Sequence, residues 1–294
     1  STLKLSCKCV AGTTGPDGNA CSPCTAGTYK DVTGNSSCVK CGPNTYSTMS
    51  KATDISTCVS CPGNTLSPPG SHDVTECKCV QGTTGHDGTE CTDCIAGTYK
   101  TTTGSSPCTL CDTGKYSGIR KSITNNTCLQ CPTNTLSYSG SQTASDCYCL
   151  PGTSRINTIA GCFLCVAGSY KDQTGDQECT LCPNRTYSLK IGSSSNDTCV
   201  SCPHNSHSGP GSDNIRSCVC DKGYTGDNGA LCSACNSGKY KNILGSSECV
   251  DCLEGEYSSE FGAVLNVCDA CPPYSNSNLG SDDRTDCMCN AGYT

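Results

Sequence analysis

The sequence contains no tryptophan, two phenylalanines, two methionines and four histidines in 294 residues. A chain of this length without branched and aromatic mass cannot build a central hydrophobic core, so something other than apolar burial must hold it. No run of 18 apolar residues occurs, so no segment reads as a membrane-spanning helix and none is expected to insert into a membrane. The net charge of −7, taken as spread without blocks, argues against nucleic acid or an anionic membrane surface as partner. There is no Ser/His/Asp set, paired-carboxylate cleft or phosphate-cradling glycine loop. The chain reads as a non-enzyme with no cofactor. It also has no initiator Met and no signal peptide, and the expectation is a piece of a longer secreted or cell-surface protein.

What the sequence has instead is cysteine, 34 residues of it. In a cytosolic protein that content would suggest metal, whereas in an oxidising compartment it is a disulfide framework. The cysteines fall into Cys-x-x-Cys and Cys-x-Cys doublets that enclose loops of 11, 13, 16 and 15 residues, and this set of four recurs. The third copy has 12 residues in its first loop and the fourth has 15 in its third. The period divides the chain into repeats at 9–78, 79–148, 149–219 and 220–288. Residues 1–8 end a preceding repeat, and 289–294 start a further one.

Each loop type has its own signature. The first carries a glycine turn, as in Cys9-Val-Ala-Gly-Thr-Thr-Gly. The second reads Cys24-Thr-Ala-Gly-Thr-Tyr-Lys and Cys94-Ile-Ala-Gly-Thr-Tyr-Lys. The third ends its opening in Tyr-Ser, and the fourth begins Cys-Pro at Pro62, Pro132, Pro203 and Pro272. Glycine and proline at fixed offsets are turn chemistry. Short Tyr, Thr and Val segments between turns can pair as strands of two or three residues, and no segment shows a helical period. The fifth residue after the opening cysteine is tyrosine in every second- and third-type loop: Tyr29, Tyr46, Tyr99, Tyr116, Tyr170, Tyr187, Tyr240 and Tyr257. In the fourth type it is Leu66, Leu136, His207 or Asn276. A tyrosine at a fixed offset from a disulfide can lie over the sulfur bridge. The alternative is an exposed binding stripe, and spacing that tracks the cysteine favours packing.

Connectivity has two candidate schemes. A ladder joins the second cysteine of each doublet to the first of the next. It pairs Cys9 with Cys21, Cys24 with Cys38, Cys41 with Cys58 and Cys61 with Cys77 in the first repeat. In the second repeat it pairs Cys79 with Cys91, Cys94 with Cys108, Cys111 with Cys128 and Cys131 with Cys147. In the third it pairs Cys149 with Cys162, Cys165 with Cys179, Cys182 with Cys199 and Cys202 with Cys218. In the last it pairs Cys220 with Cys232, Cys235 with Cys249, Cys252 with Cys268 and Cys271 with Cys287. Cys7 and Cys289 remain for residues beyond the ends. A crosswise scheme, such as Cys21–Cys38 with Cys24–Cys41, strands a whole doublet, because seventeen doublets are an odd number. The ladder is the simpler. Each bridge closing a loop of this size contributes roughly 3 kcal/mol in the chain-entropy model, and contacts then need reach no further than neighbouring loops. The expected fold is small and disulfide-rich: an elongated rod of tandem cysteine-stapled loops with short β-hairpins and little or no helix.

The run Cys-x-x-Cys-x-x-Gly-Thr-Tyr, followed by Cys-x-x-Cys-Pro-x-Asn-Thr-x-Ser, resembles the ephrin-receptor-type cysteine-rich repeat of large secreted and membrane-anchored proteins. The first-type loop from Cys77 and Cys79 through Gly82 and Gly85 to Cys91 is similar to the C-terminal half of an EGF-like domain. That resemblance implies a Cys79–Cys91 bridge. Single loops such as Cys24–Cys38 resemble the first loop of a tumour-necrosis-factor-receptor cysteine-rich domain. The calcium signature of EGF domains is absent, so calcium is not implied. The third copy departs from the glycine pattern at Arg155-Ile-Asn-Thr-Ile.

Cys21-x-x-Cys24 and Cys38-x-x-Cys41 have the spacing of a four-thiolate zinc site. It would require every repeat to stay reduced, so no metal is assigned. A thioredoxin-like role lacks its strand-turn-helix context. His204 and His207 could form a weak metal pair, but His207 occupies the Tyr/Leu slot and reads as packing. Asn35-Ser-Ser, Asn125-Asn-Thr, Asn184-Arg-Thr and Asn196-Asp-Thr are N-glycosylation acceptor triplets. Asn125 and Asn196 share one offset, and Asn266 repeats it, but there the third residue is Cys268.

The reading is a glycosylated structural component of an extracellular filament, cell coat or surface appendage. The alternative is the stalk or ligand-binding ectodomain of a cell-surface receptor or adhesion protein, with Arg155–Gly161 and Phe261–Val267 as the nearest candidates for a divergent binding loop. Expected partners are other copies or neighbouring extracellular proteins, together with N-linked glycans and, on the abundant Ser and Thr, O-linked ones.

Overall fold

The structure, a computed structural model, describes residues 7–155 and 161–293. The chain forms two compact units, Ser1–Cys147 and Tyr148–Thr294. Among the described residues there is no α-helix. Within each unit the architecture is a succession of small loops, and one hairpin serves for all of them. The fourth and fifth residues after an opening cysteine pair antiparallel with the two residues that follow the closing cysteine. Thus Thr28–Tyr29 faces Val39–Lys40 and Thr45–Tyr46 faces Val59–Ser60. In the second unit Ser169–Tyr170 likewise faces Thr180–Leu181. Two-residue ladders of this kind are too short to stand alone in water. Bridges hold them.

The structure closes sixteen disulfides among the described residues, eight in each unit, each joining an opening cysteine to the first cysteine of the next doublet. They run from Cys9–Cys21 and Cys24–Cys38 to Cys252–Cys268 and Cys271–Cys287. The first loop of the second repeat is closed between Cys79 and Cys91. Cα separations across these two ends of the series are 5.6–5.7 Å, inside the span a relaxed disulfide takes. The cysteines are the core. Cys9, Cys24, Cys41, Cys79, Cys94 and Cys111 are buried, whereas Val39, Val59, Leu110 and Leu129 stay about half exposed.

Each hairpin is entered through a tight turn whose third residue past the cysteine has positive φ. It is glycine in the first two loop types (Gly27, φ 78°) and asparagine in most fourth-type loops (Asn64, φ 58°). These are the residues that tolerate the left-handed region. The threonine or serine that follows locks the turn by donating its hydroxyl to the carbonyl three residues back. Thr28 donates to Thr25 at 2.7 Å, and Thr65 donates to Pro62 at 2.6 Å. Fourth-type loops and most third-type loops end in one turn of 3-10 helix that delivers the closing cysteine. Asp54, Asp73, Thr124, Ser195, Asn214 and Asp283 cap these turns by accepting a backbone N–H two residues on.

Successive loops are joined by backbone. Lys30 N–H donates to the Ala52 carbonyl at 3.0 Å, and Ser47 N–H to the Ser71 carbonyl at 3.1 Å. Tyr29 and Tyr46 therefore lie in parallel bridges with the next loop. Contacts also pass over a loop, contrary to the expectation that only neighbours touch. The α-carbon face of Gly27 lies against the carbonyl of Gly70 two loops on, and Gly12 lies against Lys51. Lys121 reaches further, to Asn64 Oδ1 at 2.9 Å. Three-residue turns packed edge to edge leave backbone close enough for this, and only glycine leaves the room.

Candidate interaction and modification surface

The most regular feature inside the array is polar. The sixth residue after the opening cysteine is buried in every second-, third- and fourth-type loop. It is lysine in the second type (Lys30, Lys100, Lys171, Lys241, each no more than 4 % exposed) and serine in the others, such as Ser47, Ser67, Ser117 and Ser137. The lysine ammonium spans two loops. Lys30 Nζ donates to the Thr13 carbonyl at 2.9 Å, Lys171 to Thr153 at 2.8 Å and Lys241 to Tyr224 at 2.6 Å. Each also donates to a glycine carbonyl in its own loop: Gly34, Gly175 or Gly245. Burial pushes the Lys100, Lys171 and Lys241 pKa values below the usual lysine range. Serine serves the same end by neutral means, since Ser67 donates to the Thr45 carbonyl at 3.1 Å and Ser137 to Lys115 at 2.8 Å.

The eight tyrosines one residue earlier are half-buried. Of the fourth-type residues in that slot, His207 places Nδ1 2.8 Å from Asp221 Oδ1, and Arg185 Nη1 lies 3.3 Å from the other carboxylate oxygen. His204 is exposed. Cys21, Cys24, Cys38 and Cys41 all sit in bridges and present no thiolate. The Cys149, Cys162 and Asp176 cluster is similar, for its sulfurs are bonded to each other. Asp176 is held by Arg155 Nε at 2.9 Å, and that hydrogen bond keeps its carboxyl below the ordinary range. Of the divergent loop at Arg155–Gly161, residues 156–160 lie outside the described residues. Phe261, Val264 and Leu265 of the other are exposed.

The acidic excess is not spread evenly. Between Glu248 and Asp286 nine carboxylates face one basic residue, Arg284, so the rest of the chain is close to neutral. The expectation of a charge without blocks is corrected there. Among the described residues no helix is long and apolar enough to cross a membrane.

Asn35, Asn125, Asn184 and Asn196 are all exposed. Asn125 and Asn196 each begin a 3-10 turn, Asn125–Thr127 and Asn196–Thr198.

The family model described as "Tyrosine-protein kinase ephrin type A/B receptor-like" matches residues 12–58, 152–199 and 223–267. These segments are ephrin-receptor-like repeats. Each match enters at a first-type turn and runs through the second- and third-type loops, the portion joined by the buried lysine. Among curated relatives, a mouse "Sushi, von Willebrand factor type A, EGF and pentraxin domain-containing protein 1" is 29 % identical over 60 % of this chain and 5 % of its own length. A mouse "Signal peptide, CUB and EGF-like domain-containing protein 2" is 27 % identical over 67 % of this chain and 18 % of its own. "Cysteine repeat modular protein B" of Toxoplasma gondii is 28 % identical over 50 % of this chain and 2 % of its own. The chain thus spans less than a fifth of these relatives. The dense disulfides place this cysteine-rich segment outside the cytosol, in an extracellular setting.

The buried lysine was the feature that sequence reasoning passed over. Its signal was present: lysine follows the tyrosine in all four second-type loops, a constancy that a solvated residue does not need.

Proposed function

We propose that this segment is a spacer within an extracellular ectodomain, a stalk that holds other modules of its protein away from their point of attachment. The observation that carries this reading is the backbone continuity between loops. Every second-type loop donates its lysine N–H to the following loop, as Lys30 does to Ala52, Lys100 to Ser122, Lys171 to Ser193 and Lys241 to Ala263. Such an array resists deformation one loop at a time without a central core. Relatives whose names combine several module types support the role of a segment among others. Self-assembly into a filament or coat is the rival outcome, and capture of a ligand by one copy is a second.

Sedimentation velocity and negative-stain imaging over a hundredfold range of concentration test the reading. Single chains throughout support a spacer. Growth of end-to-end or lateral assemblies with concentration would replace it with the filament reading.

A further inference from the structure

We infer that Asn125 and Asn196 carry N-linked oligosaccharide, and that each can accept it only before its disulfide loop closes. Two observations single out these asparagines. Both occupy the first position of the 3-10 turn that ends a third-type loop, and both are exposed, with side chains that make no hydrogen bond to another described residue. Asn266 holds the same register and behaves differently, its Oδ1 accepting the Cys268 N–H at 3.0 Å. That amide belongs to the fold, whereas those of Asn125 and Asn196 are left to solvent.

The second observation concerns the hydroxyl that makes each triplet an acceptor. Thr127 Oγ1 lies 2.7 Å from Ser122 Oγ and 3.0 Å from the Thr124 carbonyl. Thr198 Oγ1 lies 2.5 Å from Ser193 Oγ and 2.9 Å from the Ser195 carbonyl. Ser122 and Ser193 are buried and both bridge to the tyrosine of the preceding loop. Where the acceptor is missing, that serine is missing too, for Ala52 and Ala263 stand in its place. Once Cys111–Cys128 or Cys182–Cys199 has formed, the asparagine still faces outward but its partner hydroxyl faces inward. The triplet is then wound in a capped turn and cannot be drawn out as an extended substrate.

The transfer itself needs a polyprenyl-pyrophosphate-linked oligosaccharide. The asparagine side-chain nitrogen bonds to the anomeric carbon, and the carbon–oxygen bond to pyrophosphate breaks. The lipid pyrophosphate leaves with that electron pair, and the amide proton passes to a base of the transferase. The finished glycan projects from the exposed turn without disturbing the buried serine–threonine pair.

The test uses the full chain made without glycosylation, offered to oligosaccharyltransferase and its lipid-linked donor in two forms, folded with bridges intact and reduced with cysteines alkylated. Glycopeptide mass spectrometry reads each site, with Asn35, whose third residue Ser37 is exposed, as reference. Sugar on Asn125 and Asn196 in the reduced chain, and its loss in the folded chain, is the expected result. Equal transfer to both forms would overturn the timing, and transfer to neither would overturn the sites. In protein secreted from glycosylating cells, bare Asn125 and Asn196 peptides alone would also overturn the sites.

Discussion

The ammonium of Lys100 donates to the carbonyl of Thr83 at 2.8 Å, crossing the doublet that separates two disulfide loops. It also donates to Gly104, whose N–H in turn reaches back to the Cys79 carbonyl at 2.8 Å. One side chain thus satisfies carbonyls of two loops that share no covalent staple. Replacing it, as in Lys100→Met, keeps the stem volume and leaves two buried carbonyls unpaired, a cost of about 1–3 kcal/mol. Hydrogen exchange at the Gly104 amide should accelerate by roughly tenfold to a hundredfold, with amides in the fourth-type loop of the first repeat unchanged. An unaltered Gly104 would mean that the lysine is merely accommodated.

Glycine matters unequally along the array. Gly27 and Gly18 have the same φ of 78°. A Cβ on Gly27 would enter the carbonyl of Gly70, whereas one on Gly18 would meet nothing within 4 Å. Gly18→Ala should therefore cost only the left-handed backbone term, about 1–2 kcal/mol. Gly27→Ala adds a backbone clash that no side-chain rotation relieves, so it should part the second- and fourth-type loops. Comparison of secreted yield and of exchange at the Gly70 amide separates the two. Equal effects would show that the next-but-one contact carries no weight.

The contrast between Tyr29 and Lys30 shows what the sequence could and could not disclose. The period, the loop types, the hairpins and the turn residues follow from cysteine, glycine and proline offsets, because covalent bridges and positive φ are local constraints. The facing of side chains is another matter. Successive residues of a strand point to opposite faces, and in a two-residue strand no longer pattern exists to say which face is inside. Lysine is also rarely buried, so the offset from the cysteine points to the tyrosine as the packed residue and away from its neighbour. The contact of Gly27 with Gly70 was hidden for a different reason, since it depends on how loops stack rather than on any spacing within one. Of the candidate surface, the asparagine triplets were visible as words, and the burial of the Thr127 hydroxyl partner Ser122 was not.

Acid should loosen the capped turns first. Asp73 accepts the Thr75 hydroxyl at 2.6 Å and the Thr75 N–H at 2.8 Å, and these hydrogen bonds hold its carboxyl below the ordinary 3.8. Asp283 repeats the arrangement with Thr285, the N–H at 2.8 Å and the hydroxyl at 2.7 Å. A carboxyl whose folded pKa is depressed contributes stability that is complete above its unfolded value and is lost as pH falls through the folded one. The turns Val74–Glu76 and Arg284–Asp286 should therefore hold at pH 5 and fray as pH drops below about 3.8. Carboxyl-carbon NMR titration should place Asp73 and Asp283 below 3.8, and Thr75→Ala should bring Asp73 back up. Titration of both at 3.8 would remove the capping account.

Under tension the bridges decide how far the segment can lengthen. With the disulfides closed, force bypasses the interior of every loop. The load path runs across each bridge, 5.6 Å between the Cα atoms of Cys9 and Cys21, for example, and along the short doublet connectors. Reduction returns every loop residue to the path, at up to ~3.5 Å per residue. The extensible length of one repeat should then rise about fourfold. Single-molecule pulling of the tethered chain, before and after reductant, reads this as a change in contour length. In the oxidised chain small steps alone are expected, from two-residue hairpins and inter-loop hydrogen bonds such as Lys30 to Ala52 letting go one at a time. A spacer built this way gives little and recoils. Were the oxidised chain to extend as far as the reduced one, the covalent ladder would not be bearing the load and the spacer reading would lose its physical basis.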